Sequence, residues 1–299
     1  MKVLVGVTQH RDSHMTRFLK ALGLARGTTV NMVHVLEFPP FMNQYTSVAD
    51  DWKRQASANA HKLISRVVAP LSRQGLTIRS LVEDGQPGPT LLDAVTRMGI
   101  DLTVVSPYRS SRLAKFLLGS VTELLLGEMR SSVLVVRKPR KELHGELTIV
   151  LAMDFSRDAK AAAKFLLRLR LPRKCRIILL HVEEAGETLL DRLSRLDTEL
   201  PPAIEKAKRR RKRHTRFMLD RISGLLQQRG LLVDKMLAEG IPAEQILHIA
   251  DRHRADLIVM GSKGLTGLER YLFGSVARKV ARHALCSVLV VKGARRAQQ

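Results

Sequence analysis

The sequence predicts an α/β protein built from two tandem domains. Each is a five-stranded, doubly wound parallel sheet with helices on both faces. Three observations predict it. The chain of 299 residues is long enough for about two domains of ~150 residues. Short, uninterrupted apolar runs recur, as in strands buried on both faces. Between them lie segments of helical spacing, the alternation that makes parallel sheets. An internal repeat doubles the pattern. Asp101-Leu-Thr-Val-Val105 recurs as Asp256-Leu-Ile-Val-Met260, and Gly85-Gln-Pro87 as Gly240-Ile-Pro242. Gly119-Ser-Val121 recurs as Gly274-Ser-Val276, and Ser132-Val-Leu-Val-Val136 as Ser287-Val-Leu-Val-Val291. His34-Val35 matches His181-Val182 at a shorter offset, so the second copy carries extra residues after its second strand. The polar stretch Pro139 to Gly145 separates the copies, giving domains 1–142 and 143–299.

In the first copy, Val3 to Val7 is the first strand. It is too short for a signal-peptide core and polar residues follow at once. In the second copy, Leu147 to Met153 is a strand and Ala159 to Leu169 has helical spacing. Arg176 to Val182 is the second strand and Leu231 to Leu237 the third, ending at Gly240. Pro242 suits the first turn of a helix over Ala243 to Arg252, because its missing N–H would have no partner there. Asp256 to Met260 is the fourth strand, Ser275 to His283 a helix, and Ser287 to Val291 the fifth strand. The first copy repeats this order.

Composition narrows the function classes. Hydrophobic residues make up 45% and aromatics 4%, so the cores are aliphatic. Cys175 and Cys286 are the only cysteines, which excludes a disulfide scaffold or a cysteine zinc site and suits a reducing cytoplasm. No apolar run approaches the ~18 residues of a membrane span. The formal charge is +23, which attracts nucleotides or other polyanions without choosing among them.

Two segments carry candidate chemistry. The first follows the fourth strand of the second copy, where Gly261-Ser-Lys-Gly264 is followed after nine residues by Gly274-Ser275. Glycines let backbone N–H groups approach a phosphate, and a helix opening at Gly274-Ser275 offers its N–H groups and dipole to an anion. Lys263 would add charge. Three fixed glycines plus Ser or Thr arise by chance in roughly one chain in a hundred of this length, at ~7% glycine. The position after a buried strand and before a helix adds weight. The second segment, Lys206 to Arg216, holds eight basic residues among eleven. Its charges surround a helix and do not line one face. It precedes an apolar stripe from Phe217 through Leu225. The segment reads either as a solvated helix extension or as a docking site for phosphates, nonspecific and salt-sensitive, with no interleaved aromatics to stack on bases. Glu183 to Pro202 before it reads as a flap, and Ala294 to Gln299 as a frayed tail. His34 and His181 end strands and read as packed residues. His248 and His253 are five apart, a poor ligand spacing. No Walker A signature, His-Glu-x-x-His pair or Gly-x-Ser-x-Gly elbow occurs.

The G-x2-G-x9-G-[ST] pattern of Gly261, Gly264, Gly274 and Ser275 resembles the signature of the universal stress protein family. Ala255-Asp-Leu-Ile-Val-Met-Gly261, Leu180-His-Val182, Ala238-Glu-Gly-Ile-Pro242 and Ala152-Met-Asp-Phe-Ser156 are similar to that family as well. Two tandem copies cover nearly the whole chain. The resemblance implies an adenine nucleotide alpha hydrolase-like fold and an ATP-binding stress-response or sensor module. It implies Asp154 by the ribose and metal region, Val182 near the adenine, and the glycine loop with the Gly-Ser step at the phosphates. The implied site is Asp154, Val182, Met260, Gly261, Gly264, Gly274, Ser275 and Val276, with magnesium accompanying ATP. The first copy departs from the pattern: Thr8 stands for the Asp, Ser106 and Arg109 replace loop glycines, and Gly119-Ser120 survives. It reads as a degenerate copy kept as a packing partner, pairing Val133 to Val136 with Val288 to Val291 as homodimers of the family do; such pairing removes two exposed edges. A further homodimer is open. The rival readings are a polyanion- or nucleic-acid-binding adaptor that uses no nucleotide, and a slow ATPase, for which no base to activate water is evident.

Overall fold

The computed structural model describes residues 1–8, 13–37, 46–71, 74–107, 118–140, 146–184, 202–264 and 273–293. Arg109, most of the Glu183–Pro202 insertion and the tail Ala294–Gln299 lie outside them. The first half runs β1 (Lys2–Gly6), α1 (Ser13–Leu22), β2 (Thr29–Leu36), α2 (Thr46–Val68), β3 (Thr77–Asp84), α3 (Pro87–Met98), β4 (Leu102–Val105), α4 (Ser120–Glu128) and β5 (Ser132–Val135). The second half runs β6 (Thr148–Ala152), α5 (Arg157–Arg168), β7 (Arg176–Glu184), α6 (Pro202–Gln227), β8 (Leu232–Gly240), α7 (Pro242–Arg252), β9 (Leu257–Gly261), α8 (Ser275–His283) and β10 (Ser287–Val291). Every strand read from the second copy is present. The third ends at Gly240, as read from the sequence.

The ten strands form one sheet in the order β3-β2-β1-β4-β5-β10-β9-β6-β7-β8. Pairing within each half is parallel. The halves meet in one antiparallel pair, where Val288, Leu289 and Val290 face Val135, Leu134 and Val133. Burial follows position. β4, β5 and β10 are buried along their length, whereas the edge strands β3 and β8 alternate between exposed and half-buried residues. The central strands are covered on both faces and are therefore mostly apolar, and the hydroxyls of Thr103, Ser132 and Ser287 are hydrogen-bonded. Helices pack through period-3.6 stripes. α5 buries Ala159, Ala162, Ala163, Phe165 and Leu166, and α8 buries Ala277, Val280 and Ala281. One core, with Val5, Phe18, Ile149, Leu166 and Ile222, fills one face across both halves. A second, with Leu4, Leu125, Ile178, Val280 and Val288, fills the other.

The seam is fastened by a near-symmetric set of hydrogen bonds. The Arg137 N–H donates to Ser287 Oγ at 3.1 Å, and the Lys292 N–H donates to Ser132 Oγ at 3.2 Å. Arg170 N–H donates to the Gly23 carbonyl at 2.7 Å. Gly23 has φ +66°, and a Cβ there would sit 2.3 Å from the Arg170 carbonyl oxygen, so only glycine fits this approach. Arg137 is 2% exposed, and its guanidinium donates to the Ala281 carbonyl at 2.7 Å and the Arg282 carbonyl at 3.1 Å. A cation from the first half thus satisfies the last carbonyls of α8 in the second, at the negative end of that helix. Arg137→Ala leaves those carbonyls buried without their donor and opens a void. The expected loss is about 2–3 kcal/mol of unfolding free energy, read from urea denaturation.

Burial pushes the thiols of both Cys175 and Cys286 up to about 12, so they remain protonated near neutral pH. Both are free. Among the described residues, no helix is long and apolar enough to cross a membrane.

Candidate functional site

The candidate site residues come from segments far apart in sequence. At the carboxyl end of β6 the chain turns through Met153, Asp154 and Phe155 into α5. Ser156 caps α5, its Oγ accepting from the Ala159 N–H at 3.2 Å. Asp154 Oδ1 accepts from the Ser156 N–H at 3.0 Å, an Asx-type turn that fixes the carboxylate. Phe155 takes φ +62°, a strained value for a non-glycine residue. Its ring stacks on His181 at 4.8 Å between centroids. His181 in turn donates from Nδ1 to the Met153 carbonyl at 2.6 Å. His34 makes the equivalent bond to the Val7 carbonyl, at 2.8 Å. Both histidines are therefore structural ties between neighbouring strand ends, as their sequence positions suggest.

The loop after β9 lies against this turn. Ser156 Oγ donates to the Lys263 carbonyl at 3.1 Å. Ser262 is fully buried. Its N–H donates to the Val291 carbonyl at 2.8 Å, and its hydroxyl donates to Asp158. A Cβ on Gly264 would lie 3.0 Å from Asp154 Oδ2, so the carboxylate and this exposed glycine face each other. Gly274 closes the set, its N–H donating to the Ser262 carbonyl at 2.7 Å. A Cβ on Gly274 would sit 3.4 Å from that carbonyl oxygen and 4.0 Å from the Gly264 nitrogen. Asp154, Gly264, Gly274 and Ser275 thus share one locus where two helix N-termini meet.

The two termini differ. α5 is capped by Ser156 and has Asp158 in its first turn. α8 begins at Gly274, with no side-chain cap bond and no acidic residue in its first turn, and Ser275 is exposed. Its first N–H groups and the positive end of its dipole are left for an anion. The remaining site residues are apolar wall. Met260 is buried, and Val182 and Val276 pack half-buried against the second core.

Gly261 has a different reason from the one its place in the motif suggests. A Cβ there would meet the Ala159 nitrogen at 2.5 Å and the Asp158 carbonyl carbon at 2.7 Å. The residue is glycine because the first turn of α5 packs directly on the end of β9. In the first half Ser106 occupies this position, and its Oγ lies 3.1 Å from His14 Nε2 of α1. There a side-chain bond replaces close backbone approach. Gly119 opens α4 as Gly274 opens α8, again with no side-chain cap bond. Sequence reasoning did not single out Phe155, Asp158 or Ser262. An acidic residue in a first helical turn was the only local signal for Asp158, and nothing local marked Phe155.

The structure redefines the helix after the basic segment. The apolar stripe is Leu219, Ile222 and Leu226, aligned with buried Thr215 and Ser223. Phe217 and Leu225, expected within it, are 57% and 53% exposed. Steps of three and four from Leu219 put both on the outer side of the helix.

Two clefts lie away from this locus. One, about 620 Å³, is lined by Arg176, Gly230 and Asp234 at the amino ends of β7 and β8. The other, about 250 Å³, lies between α7 and the end of α8, beside His248, His283 and Cys286. Among the described residues, no group of three or more His, Cys, Asp or Glu is placed to hold a metal ion.

The model of the universal stress protein family matches residues 1–137 and again 147–292. One universal stress protein of Methanocaldococcus jannaschii is 46% identical over 74 residues, which cover 25% of this chain and 44% of that protein. A second from the same organism is 30% identical over 151 residues, covering 48% of this chain and 93% of that protein. A universal stress protein of Mycolicibacterium smegmatis is 24% identical over 301 residues, 97% of this chain and 96% of that one. The crystal structure of a universal stress protein from Archaeoglobus fulgidus superposes with a TM-score of 0.66, covering 98% of each chain at 18% identity, and so shares the whole tandem fold.

Proposed function

The chain belongs to the universal stress protein family, and we propose that it holds one ATP, with magnesium, in its second half as a sensor of nucleotide state. The observation that carries this reading is the uncapped start of α8 beside Asp154 and Gly264. A capped helix has spent its N–H groups on its own chain; α8 keeps them. Gly264 and Gly274 leave the space a triphosphate needs, which a side chain at either position would fill. A single carboxylate suits magnesium that arrives with the phosphates and keeps most of its water. Val182 supplies apolar surface on the β7 side, where a purine ring would lie, over the buried Met260 of β9. The proposed role is binding.

The second half is favoured over the first by what stands at the matching positions. Thr8 offers no carboxylate, and the Ser106 side chain is engaged with His14. Titration calorimetry with ATP and magnesium is therefore expected to give one site per chain. A stoichiometry near two would overturn the assignment, as would the absence of binding.

A further inference from the structure

The helix α6 is longer than the sheet beside it is deep. Its 26 residues span about 39 Å. The nine-residue strand β7 spans about 30 Å. α6 ends just before β8 starts, at the amino edge of the sheet, so its first turns extend about 9 Å, roughly six residues, past the carboxyl edge. Burial shows where it leaves the body. Thr215, Leu219, Ile222, Ser223 and Leu226 are buried, whereas Arg209 through His214 are exposed without interruption, as is Lys206. A helix lying on a protein buries a residue every three or four positions. Arg210 to His214 are exposed in succession, nearly a turn and a half with no face packed into the core.

That exposed stretch is cationic around its whole circumference. Arg210, Arg211, Lys212 and Arg213 follow at steps of about 100°, which already encircle the axis. Arg209 with Arg213 and Lys212 with Arg216 repeat like charge at i,i+4, and all of it sits toward the helix N-terminus, where cations are disfavoured. Arg210, Arg211, Lys212, Arg213 and Arg216 have no ion-pair partner among the described residues. An arrangement this unfavourable in isolation is relieved by dense negative charge on more than one side.

We propose that the exposed basic stretch of α6 around Arg210 to Arg213 is a docking element for duplex DNA, entering the major groove and engaging phosphates on both walls without reading sequence. The groove of B-form DNA is about 12 Å wide and admits an α-helix with phosphates on either side. Cations on all faces match that surrounding. A membrane surface lies on one side of a helix and is held by an apolar face, and none of the described side chains from Lys206 to Arg216 is apolar. Single strands are gripped by stacking on aromatic rings, which this stretch lacks. Duplex RNA presents a major groove too deep and narrow for such a helix. The proposal uses none of the nucleotide-site residues, so either can fail alone.

The test is fluorescence anisotropy of the full chain with a short labelled DNA duplex over a series of salt concentrations. The variant carries Arg210→Gln, Arg211→Gln, Lys212→Gln and Arg213→Gln together. These residues touch no part of the core, and an unchanged urea midpoint confirms the fold. The expected result is at least tenfold weaker binding at low salt. The log–log salt slope should also become shallower by roughly three to four, at ~0.9 for each phosphate no longer neutralised. Amide exchange in α6 should slow when duplex is added to the parent. A slope shared by parent and variant would overturn the proposal and assign binding to the diffuse net charge. Equal affinity for single-stranded DNA would overturn the groove. Anionic vesicles bound as tightly as duplex, with that binding abolished in the same variant, would make the element a membrane anchor.

Discussion

Gly264→Val is expected to lower ATP affinity at least tenfold, about 1.4 kcal/mol, with little change in unfolding free energy. The residue is exposed, and its φ lies outside the left-handed region, so valine adds no backbone strain there. The effect comes from filled space. A Cβ at 264 would already stand 3.0 Å from Asp154 Oδ2, and the two γ-methyls extend into the gap between that carboxylate and the start of α8. A triphosphate held by backbone N–H groups tolerates little increase in distance, because such bonds weaken steeply beyond ~3.2 Å. Calorimetry on the variant reads the effect directly. Parent-like affinity would place the nucleotide elsewhere on the chain.

Gly261→Ala should show the opposite profile, a loss of stability first and of binding second. Its Cβ would lie 2.5 Å from the Ala159 nitrogen, a backbone atom that cannot turn aside. α5 must move as a unit, and with it go the Ser262–Asp158 and Ser156–Lys263 bonds that lock the two loops together. The expected cost is about 2–3 kcal/mol, measured by urea unfolding. Ser106→Ala in the first half removes one exchangeable side-chain bond, from Ser106 to His14, and should cost about 1 kcal/mol or less. Equal effects from the two substitutions would show that β9 and α5 do not pack as described.

The two glycines of one motif thus answer to different forces. Spacing alone gives them a common role, because both stand in the loop after a buried strand. The approach to α5 exists only because β6 and β9 are neighbours in the sheet, although Asp158 and Gly261 are about a hundred positions apart in the chain. No local pattern encodes that distance. The same holds for Phe155, whose strained φ is fixed by the ring of His181 and the carboxylate turn at Asp154.

What the sequence by itself determined is whatever depends on period and order. Uninterrupted apolar runs such as Ile149 to Leu151 marked buried strands, and the alternation with helices made the sheet parallel. The 155-residue repeat set two copies, and the resemblance to a family whose homodimers pair this edge implied the seam of Val133 to Val136 with Val288 to Val291. The basic run at Lys206 to Arg216 was visible as charge on a helix. Only the tertiary structure decided which face of that helix the body covers. Packing of Leu219, Ile222 and Leu226 fixes its rotation and leaves Phe217 and Leu225 outside, and Thr215 is the first of its described side chains to be buried. It also decided that α5 is capped and α8 is not, and that Arg137 crosses the seam to end α8. Periodicity is a property of neighbours along the chain, whereas caps, close approaches and helix rotation depend on neighbours in space.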